Sequence, residues 1–278
     1  MSKVISQRSG SSVVTNRKHE WFERLARLGY GSRGVIYGLV GGLAFLAAVG
    51  QGGQTTDTKG AIAKLMEAPA GWLIVLAIAL GLIGYSAWRF CQAVLDADTH
   101  GNDAKALAIR GGLFVSSLTH LLLAVWAGRL AFRQATSDPN SGESHEQLVA
   151  MIMSHAFGHW IVGIAGVILI GVGVAQFLKG SQEKFERYFT WDTKQRARLI
   201  PICKVGLFAR GLIFAIIGGF VVYAAITTDP SNAGGLQDAL QWIRSQPFGP
   251  WLLGFVAAGL VCFAVYSLLE AFYRRIQI

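Results

Sequence analysis

The chain carries one stretch of sequence twice, and this repeat constrains the fold more than any other feature. Residues 25–50 read LARLGYGSRGVIYGLVGGLAFLAAVG, and residues 202–227 read ICKVGLFARGLIFAIIGGFVVYAAIT. Both copies place an Arg-Gly pair ahead of an apolar run that is rich in small residues. A looser copy begins near Ala106 and contains Arg110 and Gly111. The chain is therefore predicted to consist of three tandem repeats.

Each repeat contains two long apolar blocks. The six blocks lie at about 34–50, 71–94, 111–132, 157–178, 205–228 and 250–272. Each block is close to the ~20 residues that a helix needs to cross a ~30 Å hydrocarbon core. A backbone inside lipid must satisfy its own hydrogen bonds, so each block is predicted to be helical. The predicted fold class is all-α integral membrane, with six transmembrane helices as three tandem two-helix repeats around a pseudo-three-fold axis.

The repeats divide the chain into five segments. Repeats 1, 2 and 3 are assigned to residues 25–100, 101–180 and 202–278. A polar and basic tail precedes them at residues 1–24, and it is predicted to be disordered because it has few residues that could form a core. A linker at residues 181–201 separates repeats 2 and 3.

The linker alternates charged and aromatic residues. This pattern is typical of an amphipathic helix that lies in a membrane interface. Its lysines and arginines would then contact headgroups, while its aromatic side chains would face lipid: Phe185, Tyr188, Phe189 and Trp191. A surface that docks another protein is the alternative interpretation.

The net charge of +9 is distributed unevenly along the chain. Of the 25 lysines and arginines, 20 lie on one side of the predicted membrane: before the first block or at its start, between the second and third blocks or at their adjoining ends, between the fourth and fifth or at their adjoining ends, and after the sixth. The exceptions are Lys59, Lys64, Arg129, Arg133 and Arg244. The positive-inside rule therefore predicts that both termini are cytoplasmic. Anionic lipid headgroups on that face, and not nucleic acid, are the predicted partner of the charge.

A short amphipathic stretch joins the two blocks of each repeat on the outer side, at residues 59–68, 143–154 and 235–246. Each stretch turns into the next block through small residues and a tryptophan: Trp72, Trp160 and Trp251. An indole at the membrane–water boundary keeps its ring in lipid and its N–H near water, so these residues are predicted interface anchors. The stretches are interpreted as interfacial elbows. A lid over a central site is the alternative.

These motifs resemble those of a bacterial membrane family called domain of unknown function 1206. The resemblance rests on G-x-x-x-R-G, on P-F-G-x-W and on a Tyr-Arg-Arg tail, and it covers most of residues 25–275. Repeat 2 departs from the pattern, since Ala106 replaces the leading glycine and His155 stands near the expected proline. The resemblance implies a six-helix, multi-pass protein of the bacterial plasma (inner) membrane, and it implies no activity.

Small residues recur every fourth position in repeats 1 and 3, at Gly34, Gly38, Gly42, Gly211, Ala215 and Gly219. This spacing lets membrane helices approach closely, so these positions are predicted helix contacts. If these faces point towards the axis, Arg33, Arg110 and Arg210 would form a cationic ring near the cytoplasmic mouth. Such a ring could hold a phosphate, a lipid headgroup or a passing anion. The alternative is that each arginine extends to the headgroups.

Glu270 and His120 are two further candidate residues within the apolar blocks. A carboxylate in a membrane span is costly and usually paired, so Glu270 is predicted to pair with a repeated arginine; a proton- or cation-coupling acid is the alternative. His120 lies mid-span and is interpreted as a packing residue or a ligand. His145, His155 and His159 are weak candidates for a metal site or a haem contact, because no cysteine or carboxylate completes a known ligand spacing. No metal or cofactor is predicted.

The sequence offers no nucleophile–base pair, phosphate-binding loop or pair of catalytic carboxylates, so an enzyme is not expected. The first expectation is a structural, interaction or lipid-binding bundle, with lipid, a second copy or another membrane protein as its partner. One alternative is an anion or small-solute channel or carrier along the pseudo-three-fold axis. The other is a metal- or haem-binding membrane component.

Overall fold

The computed structural model describes residues 7–99, 101–132 and 141–276. Within these ranges the chain forms nine α-helices: α1 Gln7–Ala48, α2 Thr58–Leu65, α3 Gly71–Val94, α4 Ala104–Ala131, α5 Ser141–Met153, α6 Gly158–Ser181, α7 Thr193–Thr227, α8 Leu236–Ser245 and α9 Gly249–Tyr273. Six of them, α1, α3, α4, α6, α7 and α9, are long and apolar enough to cross a membrane. The prediction of an all-α fold with six transmembrane helices is confirmed.

The six long helices form a ring in which the closest contacts join neighbouring repeats. These contacts pair α3 with α4, α6 with α7, and α9 with α1, so the third repeat closes on the first. Looser contacts join the two long helices within repeat 1 and within repeat 3. In repeat 2 the corresponding helices, α4 and α6, barely approach each other over the described residues. The pseudo-three-fold bundle therefore has one open seam.

The short helices α2, α5 and α8 are the elbows, and they all lie at one end of the bundle. The predicted anchors Trp72, Trp160 and Trp251 lie in the first turns of the helices that follow, and all three side chains are exposed. We call this the elbow end. The opposite end, where α3, α6 and α9 finish and most of the basic residues lie, is called the basic end.

Glycine allows the tightest approach between α1 and α9 and between α6 and α7. A Cβ added at Gly41 would lie 2.9 Å from a carbonyl oxygen of α9, and one at Gly218 would lie 2.7 Å from a carbonyl oxygen of α6. A Cβ at the adjacent Gly42 or Gly219 would meet no atom within 4 Å. The predicted contact stripe is wrong at Gly42 and Gly219, because the contacting face is rotated by one residue there.

The other positions of the predicted stripe do lie at helix contacts. A Cβ at Gly34 would come within 2.8 Å of a leucine side chain of α9, and one at Gly38 would lie 3.6 Å from an alanine of the same helix. On α7, a Cβ at Gly211 would lie 2.9 Å from a carbonyl oxygen of α6, and Ala215 contacts the glycine that carries that oxygen. Close helix contact therefore extends along both pairs.

The N-terminal segment differs from its predicted structure. Because α1 begins at Gln7, residues 7–24 are helical where the sequence predicts a disordered tail, and residues 1–6 lie outside the described part. Lengthening an existing helix adds one hydrogen bond for each residue and needs no new nucleus. The membrane helix of repeat 1 therefore continues into the basic segment that precedes it, which is helical from Gln7.

The linker also differs, since it contains a single 3-10 turn before α7 begins at Thr193. Phe185 and Phe189 are buried against Tyr266 of α9, while Tyr188 is partly buried in the same cluster. Backbone hydrogen bonds also tie this segment to the end of α9. The predicted lipid-facing orientation is wrong for Phe185 and Phe189, because α9 offers them both an aromatic surface and backbone partners.

Adjacent glycines provide a matched test of the contact between α1 and α9. A methyl group at residue 41 would overpack this contact, which typically costs about 1–3 kcal/mol. At residue 42 there is room, and alanine favours a helix over glycine by about 1 kcal/mol. We expect the thermal unfolding midpoint in detergent to fall for Gly41→Ala and to stay or rise for Gly42→Ala. Equal midpoints for the two variants would contradict this assignment of the contacting face.

Candidate functional site

A buried ion pair between Arg33 of α1 and Glu270 of α9 lies towards the basic end. Both side chains are almost completely buried. The remaining N–H groups of Arg33 donate to Ser267 Oγ at 3.1 Å and to the Tyr85 hydroxyl at 2.6 Å. One guanidinium therefore joins α1, α3 and α9. Most of its five N–H groups have partners, as a buried charge requires.

Glu270 is surrounded by further donors. Arg274 Nη1 donates to Glu270 Oε1 at 2.8 Å, and the Tyr266 hydroxyl donates to the same oxygen at 3.0 Å. Arg274 Nη2 also lies 3.1 Å from Asp98 Oδ2, and the Tyr266 hydroxyl accepts a 2.9 Å hydrogen bond from Lys179. The carboxylate of Glu270 is thus fully engaged by the protein, with two cations in direct contact.

The three repeat-related arginines have different environments. Arg33 lies in the buried cluster and is ion-paired. Arg110 lies at the basic end and donates to two carbonyl oxygens near the end of α3, Ala93 O at 2.8 Å and Val94 O at 3.0 Å. Arg210 lies among aromatic rings of α1, α7 and α9. The structure therefore brings Arg33 and Arg210 towards each other but not Arg110, and no ring of three arginines forms.

Arg210 lacks the partners that Arg33 has. Its guanidinium carbon lies 4.7 Å from the ring centre of Phe263, 4.9 Å from that of Phe214 and 5.8 Å from that of Tyr37. Its Nε is shielded from solvent and has no hydrogen-bond partner among the described residues. Aromatic faces attract a cation, but they supply no negative charge. Arg210 is therefore an uncompensated cation in a membrane helix.

The reason for this difference lies in the sequence of α6. The contact between α1 and α9 supplies Glu270 to Arg33, and the related contact in the ring is the one between α7 and α6. Counted from the first residue of each helix, Lys179 of α6 occupies the position that Glu270 occupies in α9. A cation thus stands where the symmetry would place the acid that could pair with Arg210.

Arg210 lines a cavity of about 520 Å³ that lies at the open seam. Other walls are formed by Thr119 of α4, by Ala165 and Leu169 of α6, and by Ile213 of α7. The lining is mostly apolar, so the guanidinium is the main charge at this end of the cavity. The arrangement combines a long apolar space with a single cationic group at its base.

The elbow helices line the other end of the cavity. Lys59 at the start of α2, His145 of α5 and Leu236 of α8 all contribute to its wall. The ammonium of Lys59 also lies 5.9 Å from the centre of the Trp126 ring of α4. The three elbows therefore cover one end of this cavity, as the lid interpretation of the elbows requires.

The other candidate histidines, His120, His155 and His159, contact neighbouring groups of the protein. His120 Nδ1 donates to the Ser116 carbonyl at 2.7 Å, and its ring centre lies 4.7 Å from that of Tyr85. His155 Nδ1 lies 3.0 Å from a backbone oxygen one turn earlier, and the His159 ring contacts Trp160. In the part of the chain that the structure describes, no three histidine, cysteine or acidic side chains gather as metal ligands.

Sequence reasoning missed several members of the buried cluster. A Tyr-Ser pair occurs in both α3 and α9. Its first tyrosine, Tyr85, accepts a hydrogen bond from Arg33, and its second, Tyr266, donates one to Glu270. The recurrence of this pair between repeats is the signal that identifies them. Lys179 and Asp98 carry no comparable pattern, since each occurs in one repeat only.

The bundle defines a class, namely integral membrane proteins built from three tandem two-helix repeats. A family model described as Domain of Unknown Function (DUF1206) matches the chain three times, at residues 28–96, 111–182 and 205–274. The chain belongs to this family, as the motifs indicated. A relative described as "Uncharacterized protein YxxB", from Bacillus subtilis (strain 168), is 33% identical over 268 residues, which are 95% of each chain. No solved structure matches this one.

Replacing Glu270 tests the importance of the buried cluster for stability. Glu270→Gln leaves Arg33 and Arg274 without their shared counter-charge, and breaking a buried ion pair typically costs about 3–5 kcal/mol. We expect a large fall in the thermal unfolding midpoint of the purified protein. Glu67→Gln is the control, because Glu67 forms an exposed pair with Lys64 at 2.6 Å. A midpoint of Glu270→Gln that matches the control would show that the cluster contributes little.

Proposed function

We propose that this protein is a lipid-binding membrane protein that accepts the acyl chain of a membrane amphiphile at the seam between α4 and α6. The observation that carries the proposal is the apolar cavity of about 520 Å³ at this seam. Its volume falls in the range of about 300–1,000 Å³ that is usual for small-molecule sites.

The shape of the cavity suits a hydrocarbon chain. Its α7 wall runs from Arg210 through Ile213 and Ile217 to Val221. These residues span about 16 Å along the helix axis, since each helical residue adds about 1.5 Å. A space of this volume and length is narrow. An acyl chain would fill this space. It would then contact α6 on the side where α6 does not pack against α4.

The seam is also accessible from the bilayer. Of the most apolar 18-residue stretch of each helix, only 11% is buried inside the protein in α4 and 17% in α6. The corresponding share is 56% in α3 and in α9. The helices that border the seam are therefore the ones that lipid would surround most. An amphiphile could reach the cavity sideways, and its chain would not have to pass through water.

A channel or carrier along the pseudo-three-fold axis receives less support. The ring centres of Tyr37 and Phe263 lie 4.8 Å apart where α1, α7 and α9 meet. Val40, Ile213 and Leu260 continue this packed region towards the elbow end. A solute would have to displace these side chains, whereas a lipid chain at the seam displaces none of them.

The setting of this function is part of the proposal. Both termini would be cytoplasmic and the membrane would be the bacterial plasma membrane, with the basic end facing anionic headgroups. The Bacillus relative and the concentration of basic residues at one end support this setting. We propose no catalytic role and no nucleic-acid partner. A second copy or another membrane protein could cover the exposed faces of α4 and α6.

Filling the cavity tests lipid binding directly. Ala165→Trp would place an indole in the proposed path of the chain, whereas Val174→Trp would add the same group on an exposed position of the same helix. We expect native mass spectrometry in mild detergent to show lipid bound to the wild type and to Val174→Trp, and several-fold less bound to Ala165→Trp. Wild-type protein without lipid, or equal loading of all three proteins, would refute the proposal.

The proposed orientation is tested by labelling introduced cysteines in intact cells. The three native cysteines, Cys91, Cys203 and Cys262, are first replaced by alanine. Gln241→Cys then introduces a thiol at the elbow end, and Lys194→Cys introduces one at the basic end, both at exposed positions. A membrane-impermeant maleimide is expected to label only Gln241→Cys until the cells are opened. The reverse pattern would overturn the orientation.

A further inference from the structure

We propose that the amphiphile in this cavity is anionic and that its phosphate or carboxylate headgroup is bound by the guanidinium of Arg210. This inference rests on the proposed function, and it adds the charge and the position of the ligand's headgroup. Three observations support it: the missing partners of Arg210, the absence of a nearby acid that could pair with it, and the apolar space that extends from it.

The first observation is the state of Arg210 itself. It lies about 7 Å inside the apolar run that begins at Val205, at about 1.5 Å for each helical residue. A charge at such a depth is costly and is normally paired. Three aromatic rings surround the guanidinium, but its Nε has no hydrogen-bond partner in the described part of the chain. Arg210 also lines the cavity, so a ligand in that space would contact its side chain.

The second observation concerns the neighbouring acids. Asp57 also lines the cavity, but it lies at the elbow end, where its carboxylate accepts a hydrogen bond from Gly60 N at the start of α2. Glu270 is engaged by Arg33, Arg274 and Tyr266, so its carboxylate is not free to neutralise a further cation. The helix that pairs with α7 contributes Lys179 at the corresponding position. An acid that could neutralise Arg210 is therefore missing from α6, where Lys179 stands at the corresponding position. An anion from outside the chain would supply the missing negative charge.

The third observation identifies the kind of anion. The cavity continues from Arg210 along Ile213, Ile217 and Val221, and its lining is mainly apolar. A free inorganic anion would leave this apolar length unfilled and would lose its hydration without other donors. An amphiphile satisfies both parts of the site, because its headgroup meets the guanidinium while its chain occupies the slot. Guanidinium groups bind phosphate and carboxylate by paired hydrogen bonds.

The repeat supplies matched controls. Arg110 occupies the related position in repeat 2, but it lies outside the cavity and donates to the end of α3. Arg110→Gln therefore removes the same charge from the same kind of helix without altering the proposed site. Arg210→Gln removes the proposed headgroup contact. Arg210→Lys keeps the charge and loses the forked geometry of the guanidinium.

The experiment measures ligand binding to the full chain after delipidation in a non-ionic detergent. The probes are phosphatidylglycerol, phosphatidylcholine with the same acyl chains, palmitate, and inorganic phosphate alone. Binding is measured by native mass spectrometry and by the rise in the thermal unfolding midpoint. For the wild type and Arg110→Gln we expect phosphatidylglycerol or palmitate to bind at least about tenfold more tightly than phosphatidylcholine, because the choline cation offsets the charge of the phosphate and repels the guanidinium, and about 1.4 kcal/mol of lost attraction is tenfold in affinity.

We expect Arg210→Gln to bind both phospholipids about equally, and Arg210→Lys to keep part of the preference. Without lipid, Arg210→Gln should unfold no earlier than the wild type, because it removes an unpaired charge. The inference is overturned if Arg210→Gln keeps the full preference, or if inorganic phosphate alone binds as tightly as the amphiphiles. Equal binding of both phospholipids by the wild type would also overturn it and leave the proposed function standing. Failure of every lipid to bind would refute the proposed function as well.

Discussion

The ion pair between Arg33 and Glu270 closes the bundle, because it joins the first membrane helix of repeat 1 to the last membrane helix of repeat 3. Lipid supplies no hydrophobic force between helices, so their association depends on close packing and on polar contacts. Here both coincide: α1 meets α9 through glycines such as Gly34 and Gly41, and the ion pair adds a specific partner at the same contact. Tyr85 brings α3 into the same cluster.

The site arises where this arrangement is not repeated. At the related contact between α6 and α7 the glycines remain, as at Gly218, but the acid is replaced by Lys179. Arg210 is left uncompensated, and in the same region α4 and α6 fail to close on each other. A packing gap within repeat 2 and an unpaired cation of repeat 3 therefore occur side by side. Their combination gives a cavity with a mostly apolar wall, with Arg210 at one end and with Lys59 and Asp57 at the elbow end.

Much of the fold could be predicted because each feature depends on local sequence. The apolar blocks give the six membrane helices, and the amphipathic stretches give the elbows to within a few residues of α2, α5 and α8. Predictions that depended on orientation were less successful. Gly42 and Gly219 lie one residue from the contacting face, and Phe185 pairs with α9 where lipid was the predicted neighbour. The periodicity of the sequence shows how the residues of one helix face are spaced. Which face makes the contact depends on the position of the neighbouring helix.

The sequence by itself determined that the chain has three repeats, six membrane helices, a basic end and three related arginines. It also marked Glu270 as a residue that needed a cationic partner, since a lone carboxylate in lipid is too costly. Only the tertiary structure decided that Arg33 is this partner, that Arg110 caps α3, and that Arg210 has no acid. The physical reason is that pairing depends on which helices adjoin in the ring, and α9, which supplies Glu270, lies at the opposite end of the chain from α1.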